Sequence, residues 1–294
     1  MLSQYRAIFL ALLAAVLFAL SIPIAKYFLV DVPPLIVASF LYLGAGLAMG
    51  VTFVLQRNNP TRAALLGKED SPYVISMVLL DILAPILLLF GLKLTSSANA
   101  SLLVNAEIVF TAVVAALVFR EKISRLLSFA ILLILFASVI LTFEGTEALT
   151  FNIGSLLVLG AALCWGIENN CTRAISTKNS EQIVMVKGLG SAAGSLLVAQ
   201  IAGTTVSWGW ELLGILVLGA LSYGVSINIY VKAQRTLGAA RTSAYYALNP
   251  FLGVLFSLIF LGERPVYGFY LGLLLMLVAT ILLVREEFSR EESS

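Results

Sequence analysis

Hydrophobic and polar positions divide the chain into ten apolar runs. They fall at residues 7–29, 34–55, 73–92, 97–118, 124–142, 152–173, 183–202, 211–231, 241–261 and 266–284. Each is close to the ~20 residues that cross a bilayer core as a helix. The run at 73–92 is split by Asp81 and Pro85. Charged or turn residues separate the runs, at Val32-Pro33-Pro34 and at residues 57–72, 120–122, 144–150, 178–182, 203–210, 232–235 and 263–265. The runs are continuous and do not alternate with period two. The pattern therefore predicts spanning helices and argues against a membrane β-barrel.

One run carries an unusual cost. Residues 96–121, SSANASLLVNAEIVFTAVVAALVFRE, are long and apolar enough to span, yet hold Asn105 and Glu107 near the middle. A carboxylate at that depth costs roughly 2.5–3.5 kcal/mol on insertion scales.

Composition supports the same class. Of 294 residues, 60% are hydrophobic and 12% charged, where soluble domains carry about 25% charge. No basic patch sits on a soluble domain, so no nucleic-acid partner is expected; the lipid bilayer is the expected surrounding. The absence of histidine removes His-based metal sites and proton relays. Cys164 and Cys171 share a helix face but lie ~10 Å apart along its axis, too far for a disulfide, and are read as packing residues. The N-terminal MLSQYR leads into an apolar run with no clear small-residue cleavage site, which reads as a retained first helix. No phosphate-binding loop, nucleophilic triad or metal cluster is visible, so neither cofactor nor metal is expected. The loops are too short for a nucleotide-binding domain.

Lysine and arginine set the expected orientation. With a cytoplasmic N-terminus, the inside holds Arg6, Arg57, Arg62, Lys68, Arg120, Lys122, Arg125, Arg173, Lys178, Lys187, Lys232, Arg235, Arg241, Arg285 and Arg290. The outside keeps Lys26, Lys93 and Arg264, to complete the 18. Ten spans with both termini cytoplasmic follow. The halves also resemble each other. Residues 14–26 (AAVLFALSIPIAK) lie over 161–173 (AALCWGIENNCTR), so that Phe18 meets Trp165, Ser21 meets Glu168, Pro23 meets Asn170 and Lys26 meets Arg173. Residues 93–121 lie over 235–263, with Glu107 meeting Asn249 and Glu121 meeting Glu263. Five spans is an odd number, so the second copy runs upside down. The expected fold is an all-α integral membrane protein of ten transmembrane helices in two inverted five-helix repeats. The repeats divide at 1–146 and 147–294, the second ending in a short cytoplasmic tail. Inverted repeats are a signature of secondary transporters with a midplane site.

These features resemble the EamA-type carriers of the drug/metabolite transporter superfamily. The resemblance rests on the ten spans in two repeats, on the Ala-Ala-x-x-Trp-Gly text of residues 161–166, and on the span closings Phe119-Arg120-Glu121 and Leu261-Gly262-Glu263-Arg264-Pro265. It covers nearly the whole chain. Ala106-Glu107-Ile108 departs from the commoner proline form, which the second repeat keeps as Leu248-Asn249-Pro250. The resemblance implies a central cavity lined by helices 1, 3, 4, 6, 8 and 9, alternating access, and export of small metabolites, amino acids or drugs.

Several residues carry candidate chemistry. Ionising Glu107 in low dielectric is costly, which suits a proton-coupled site or the counter-charge of an amine; the alternative is a neutral Glu bonded to a neighbouring helix. Asn105 lies ~200° round the helix from Glu107, so one of the two is expected to pack. Trp165, Glu168 and Asn169 belong to the densest polar cluster in an apolar span, read either as a cavity floor or as a wet helix end where Glu168 pairs with Thr172 or Arg173. Tyr223, Ser226 and Tyr230 form a helical stripe, with Asn228 beside it; Tyr245 and Asn249 form another. Packing is the competing role for each tyrosine. Pro23, Pro85 and Pro250 are candidate kinks, with Pro250 freeing a carbonyl at Tyr246. Asp81 is expected to snorkel to the cytoplasmic end, and Lys26 to the outer interface. Gly46-x-x-x-Gly50 and Gly190-x-x-x-Gly194 fit close helix packing.

The expected function is secondary-active export of a small-molecule substrate, cationic, zwitterionic or amino-acid-like, across a bacterial inner membrane, with H+ as a coupling ion and a monomer or homodimer as the working unit. A gradient-independent facilitator or channel is the alternative. A membrane-embedded enzyme is disfavoured because the acids lie on separate helices. Sugar-nucleotide carriage is disfavoured because no Lys or Arg falls at midplane.

Overall fold

A computed structural model of the chain describes residues 2–56, 63–118, 120, 124–143, 152–206 and 208–293. Arg57, Arg62, Phe119, Glu121, Lys122 and the break at 144–150 lie outside them. The described residues build ten membrane-length helical spans. The first span is α1 (Leu2–Ala19) with α2 (Ser21–Phe28), the second α3 (Pro34–Leu55) and the third α4 (Ser71–Leu94). The fourth is α5 (Ser97–Leu103) with α6 (Glu107–Val118), and the fifth α7 (Arg125–Thr142). The second half follows with α8 (Ile153–Ala174), α9 (Ser180–Ile201), α10 (Trp210–Gly219) with α11 (Ser226–Leu237), α12 (Ala239–Tyr246) with α13 (Asn249–Leu261), and α14 (Tyr267–Ser293). Nine spans meet a strict test of length and hydropathy. The tenth, α8, has 22 residues but is diluted by Glu168-Asn169-Asn170.

The two halves interlock about a pseudo-twofold axis. The most extensive helix pairs are α3 with α9, α4 with α8, α7 with α14 and α1 with α11; α6 with α8, α3 with α10 and α4 with α9 come next, and then α5 with α13. Exchanging the halves maps the second–seventh, fourth–ninth and fifth–tenth pairs onto themselves, and maps the third–sixth pair onto the eighth–first. Packing thus reproduces the duplication read from the sequence.

Close approach depends on glycine. A Cβ on Gly44 would sit 2.0 Å from the Leu216 carbonyl oxygen, and one on Gly219 would sit 1.9 Å from that of Leu41. A Cβ on Gly188 would meet Gly46 Cα at 2.6 Å. Gly46 therefore packs α3 onto α9 within the chain, while Gly190 and Gly194 face Val78 and Ile82 of α4. Small residues let helices meet where lipid gives no hydrophobic drive between them.

Helix interruptions also pair up. The fourth span turns into a 3-10 segment at Val104–Ala106, and the ninth breaks at Ala247 and Leu248, the matching point. Pro250 accordingly opens α13, in the first turn where no amide donor is needed, rather than kinking a continuous helix. The first span breaks at Leu20, just ahead of Pro23. Pro85 causes no break: α4 continues through it. A π-helical turn at Ala220–Val225 joins α10 to α11.

One end of the bundle is tied by charge. Lys178 pairs with Glu69 Oε1 at 3.1 Å and Asp70 Oδ2 at 3.0 Å, and the hydrogen bonds to Asp70 and then Glu69 hold its ammonium above the ordinary lysine pKa. The opposite end is sealed by Glu263. The Ser97 and Ala98 amides donate to its two carboxylate oxygens at 2.7 and 2.8 Å, capping α5 from the end of α13. Gly262, at φ +63°, makes the left-handed turn that brings Glu263 there. Ser97 and Ser257 hydroxyls meet at 2.8 Å. Asn99 Nδ2 donates to the Leu141 carbonyl at 2.8 Å and to Ser155 Oγ at 3.1 Å. Lys26 donates to the Leu92 and Thr95 carbonyls, closing the end of α4.

Two stability changes are expected. Gly219→Val, which drives a side chain into the Leu41 carbonyl, lowers stability by about 1–3 kcal/mol by overpacking, and Glu263→Ala by about 1 kcal/mol through loss of the cap. Thermal unfolding in detergent measures both; unchanged midpoints contradict the packing described.

Candidate functional site

A cavity of about 220 Å³ lies in the middle of the bundle, lined by residues of both halves. Its polar wall holds Glu107, Glu168, Asn169 and Lys187; its aromatic wall holds Phe18, Tyr42, Trp165, Tyr223 and Tyr246. Helices of the second and seventh spans contribute Tyr42 and Lys187, beyond the six that the family resemblance implies.

The polar wall is an ion network. Lys187 Nζ lies 3.0 Å from Asp81 Oδ2 on α4 and 3.0 Å from Glu168 Oε1 on α8. Tyr42 donates to Asp81 Oδ1 at 3.1 Å, and Trp165 Nε1 donates to the Tyr42 hydroxyl at 3.4 Å. Thr172 donates to Glu168 from one turn on. Asp81 is 0% exposed and Glu168 2%, so their charges are compensated within the protein. A buried ion pair of this kind is weak evidence for net stability, but removing one partner strands the other. Glu107, at the start of α6, accepts a 2.6 Å bond from Asn169. Asn169 also reaches Thr111 Oγ1 at 3.3 Å.

The aromatic wall is continuous. Tyr246 meets Phe18 at 5.7 Å between centroids, Phe18 meets Tyr223 edge-on at 5.6 Å, and Tyr223 stacks on Tyr42 at 5.7 Å. These aromatic pairs fix ring orientation beyond what burial alone does.

The helices thus gather Glu107, Trp165, Glu168, Asn169 and Tyr223 around one space. Three other candidates lie elsewhere. Asn228 lines a small neighbouring pocket with Lys232 and Arg235. Tyr245 packs on the Ala7, Ala11, Ala233 and Leu237 cluster. Asn249 opens α13 as Glu107 opens α6, but Tyr246, not Asn249, faces the cavity. Asn105 does not line the cavity either, and its Nδ2 is buried with no hydrogen-bond partner.

Two readings need correction. Asp81 does not snorkel: it is fully buried and paired. Lys187 is not an end-of-helix charge: it stands two turns inside α9 and lines the cavity, so a cation does stand among the midspan polar groups. The signal that could have found it is its isolation, since Lys187 is the one charge between Gln182 and Gln200.

Toward one end the cavity adjoins a larger space of about 470 Å³, bounded by Gln56, Lys178, Glu181 and Arg235, with Val184 and Ile227 lining both. At the other end stand the Glu263, Ser97 and Asn99 contacts.

The EamA-like transporter family matches residues 5–143 and again residues 152–285. The chain belongs to this family. An EamA-like chain of this kind is a multi-pass membrane transporter that works in lipid on a small-molecule substrate. It is 26% identical over 268 residues to an uncharacterized transporter of Methanothermobacter thermautotrophicus, covering 85% of this chain and 78% of that one. It is 25% identical over 256 residues to the uncharacterized transporter YoaV of Bacillus subtilis, covering 84% and 85%. A solved crystal structure superposes with a TM-score of 0.67 at 17% identity, covering 95% of both chains, a likeness of fold.

Tyr42→Phe removes the hydroxyl shared by Asp81 and Trp165. It is expected to cost about 1–3 kcal/mol by leaving buried partners unsatisfied, read as a lower melting temperature. A variant as stable as the parent contradicts the network.

Proposed function

We propose that this EamA-like transporter is a secondary-active exporter of small cationic or zwitterionic organic solutes, amino-acid-like compounds among them. It works by alternating access, with proton coupling at Glu107. The observation that carries the reading is a cavity between two inverted halves, with Glu107 and Glu168 on its wall, Asp81 buried behind them, and a hydrogen-bonded seal at the Glu263 end. Such a cavity exchanges its open end when the halves rock against each other. The excess of carboxyls over ammonium favours solutes that bring positive charge. Among the described residues Glu107 is hydrogen-bonded by Asn169 and forms no ion pair, which suits a group that exchanges a proton for a solute. The excess of Lys and Arg puts the Lys178 end, and both termini, in the cytoplasm. The open end is then the cytoplasmic one, as loading for export requires. A bacterial inner membrane is the setting, with each repeat, 1–146 and 147–294, contributing one wall, and a monomer or homodimer as the unit.

Transport into proteoliposomes tests this. A labelled organic cation is expected to accumulate faster with an opposing proton gradient. Glu107→Gln is expected to lower the rate at least tenfold and to abolish the dependence on the gradient. Saturable flux that ignores both the gradient and Glu107→Gln would make the protein a facilitator instead.

A further inference from the structure

The Lys187 ammonium occupies a seat that other helices build. Asp81 Oδ2 and Glu168 Oε1 each stand 3.0 Å from it, one on α4 and one on α8. Neither acid is free to turn: Tyr42 holds the second oxygen of Asp81, and Thr172 holds Glu168. The occupant differs from its hosts. The Lys187 side chain is 19% exposed, against 0% for Asp81 and 2% for Glu168, so the acids are fixed and the lysine lies along the cavity wall. Among the described residues lining the cavity, Lys187 is the one cation, and Glu107 stands beside Glu168 as the other carboxyl.

We propose that the Asp81–Glu168 seat is a binding site for a primary alkylammonium group, and that Lys187 is the tethered occupant that fills it when no cationic solute is present. The inference rests on reading the cavity as a solute site, and names the group recognised there. The lysine arm is the template for the ligand: a compact ammonium with three N–H donors on a straight methylene chain. The two carboxylate oxygens each approach its nitrogen to 3.0 Å, a distance that only a head with hydrogens on nitrogen can reach. A quaternary ammonium has none, and its methyl groups hold the charge farther from both oxygens. The charged and titratable groups facing the seat are Asp81, Glu168, Glu107, Tyr42 and Tyr223. The device also keeps the empty carrier from burying two uncompensated carboxylates, a state whose desolvation cost would hinder its return across the membrane.

The test is chemical rescue, read by melting temperature in detergent and so separable from transport. Lys187→Ala is expected to melt lower than the parent, and millimolar n-butylammonium to restore at least half of the loss. Tetramethylammonium and n-butanol at the same concentration are expected to restore none. Adding Glu168→Gln to Lys187→Ala removes the response. Lys187→Met, which keeps the chain volume, serves where the alanine variant does not fold, and is expected to respond to n-butylammonium with a rise several times that of the parent. The proposal is overturned if neither variant responds to n-butylammonium, if tetramethylammonium rescues equally, or if the response survives Glu168→Gln. Failure of the rescue with transport intact removes the seat and leaves the transporter reading standing; rescue without measurable transport does the reverse.

Discussion

An ammonium held between two buried carboxylates is the interaction around which this bundle is arranged. Asp81 comes from the first half of the chain, Glu168 and Lys187 from the second. None of the three is tolerable alone at that depth, since stranding a buried charge costs about 3–5 kcal/mol. Their convergence therefore restricts how α4, α8 and α9 dock. Tyr42 extends the constraint to α3, and through Trp165 and Tyr223 to the aromatic wall. A fixed polar network inside a bundle otherwise held by nondirectional packing gives the two halves a common register.

Around that centre the backbone approaches closely. The glycine contacts at Gly44–Leu216, Gly219–Leu41 and Gly46–Gly188 place helices of opposite halves against each other with no side chain between. The cavity then lies where close packing gives way to longer polar and aromatic side chains. The interruptions at Val104–Ala106 and at Ala247–Leu248 flank it. Discontinuous helices at a midplane site are a recurrent feature of carriers built from inverted repeats. Here they leave Glu107 at the first position of α6 and bring Tyr246 to the cavity through α12.

The sequence made the scaffold legible because its signals are local. Ten apolar runs, a repeated text and the alternation of Lys and Arg between breaks each need only a window of a few tens of residues. Glu107, Glu168, Trp165 and Asn169 were visible for the same reason: polar side chains in hydrocarbon are expensive wherever the partner lies. The remainder depended on which helices touch. Lys187 looked like an end charge and Asp81 like a snorkelling acid because each, taken singly, would be relieved by reaching water; only the meeting of α4, α8 and α9 supplies the other solution. Tyr42 offered no signal, being one of three aromatics in an apolar helix. Asn228 and Tyr245 erred in the opposite direction. Asn228, beside its stripe rather than on it, lines a side pocket, and Tyr245 packs toward α1 and α11.

The two ends of the bundle are unlike. One is closed by Glu263 on the first turn of α5 and by the Asn99 and Lys26 bonds; the other opens past Val184 and Ile227. The central claim is a single cavity reached from one side at a time. Its most direct measurement is labelling of Val184→Cys, with Cys164 and Cys171 replaced by alanine, by a membrane-impermeant maleimide applied to either face of oriented vesicles without solute. The account predicts rapid reaction from the face bearing Lys178 and none from the face bearing Glu263. Equal labelling from both faces would contradict it.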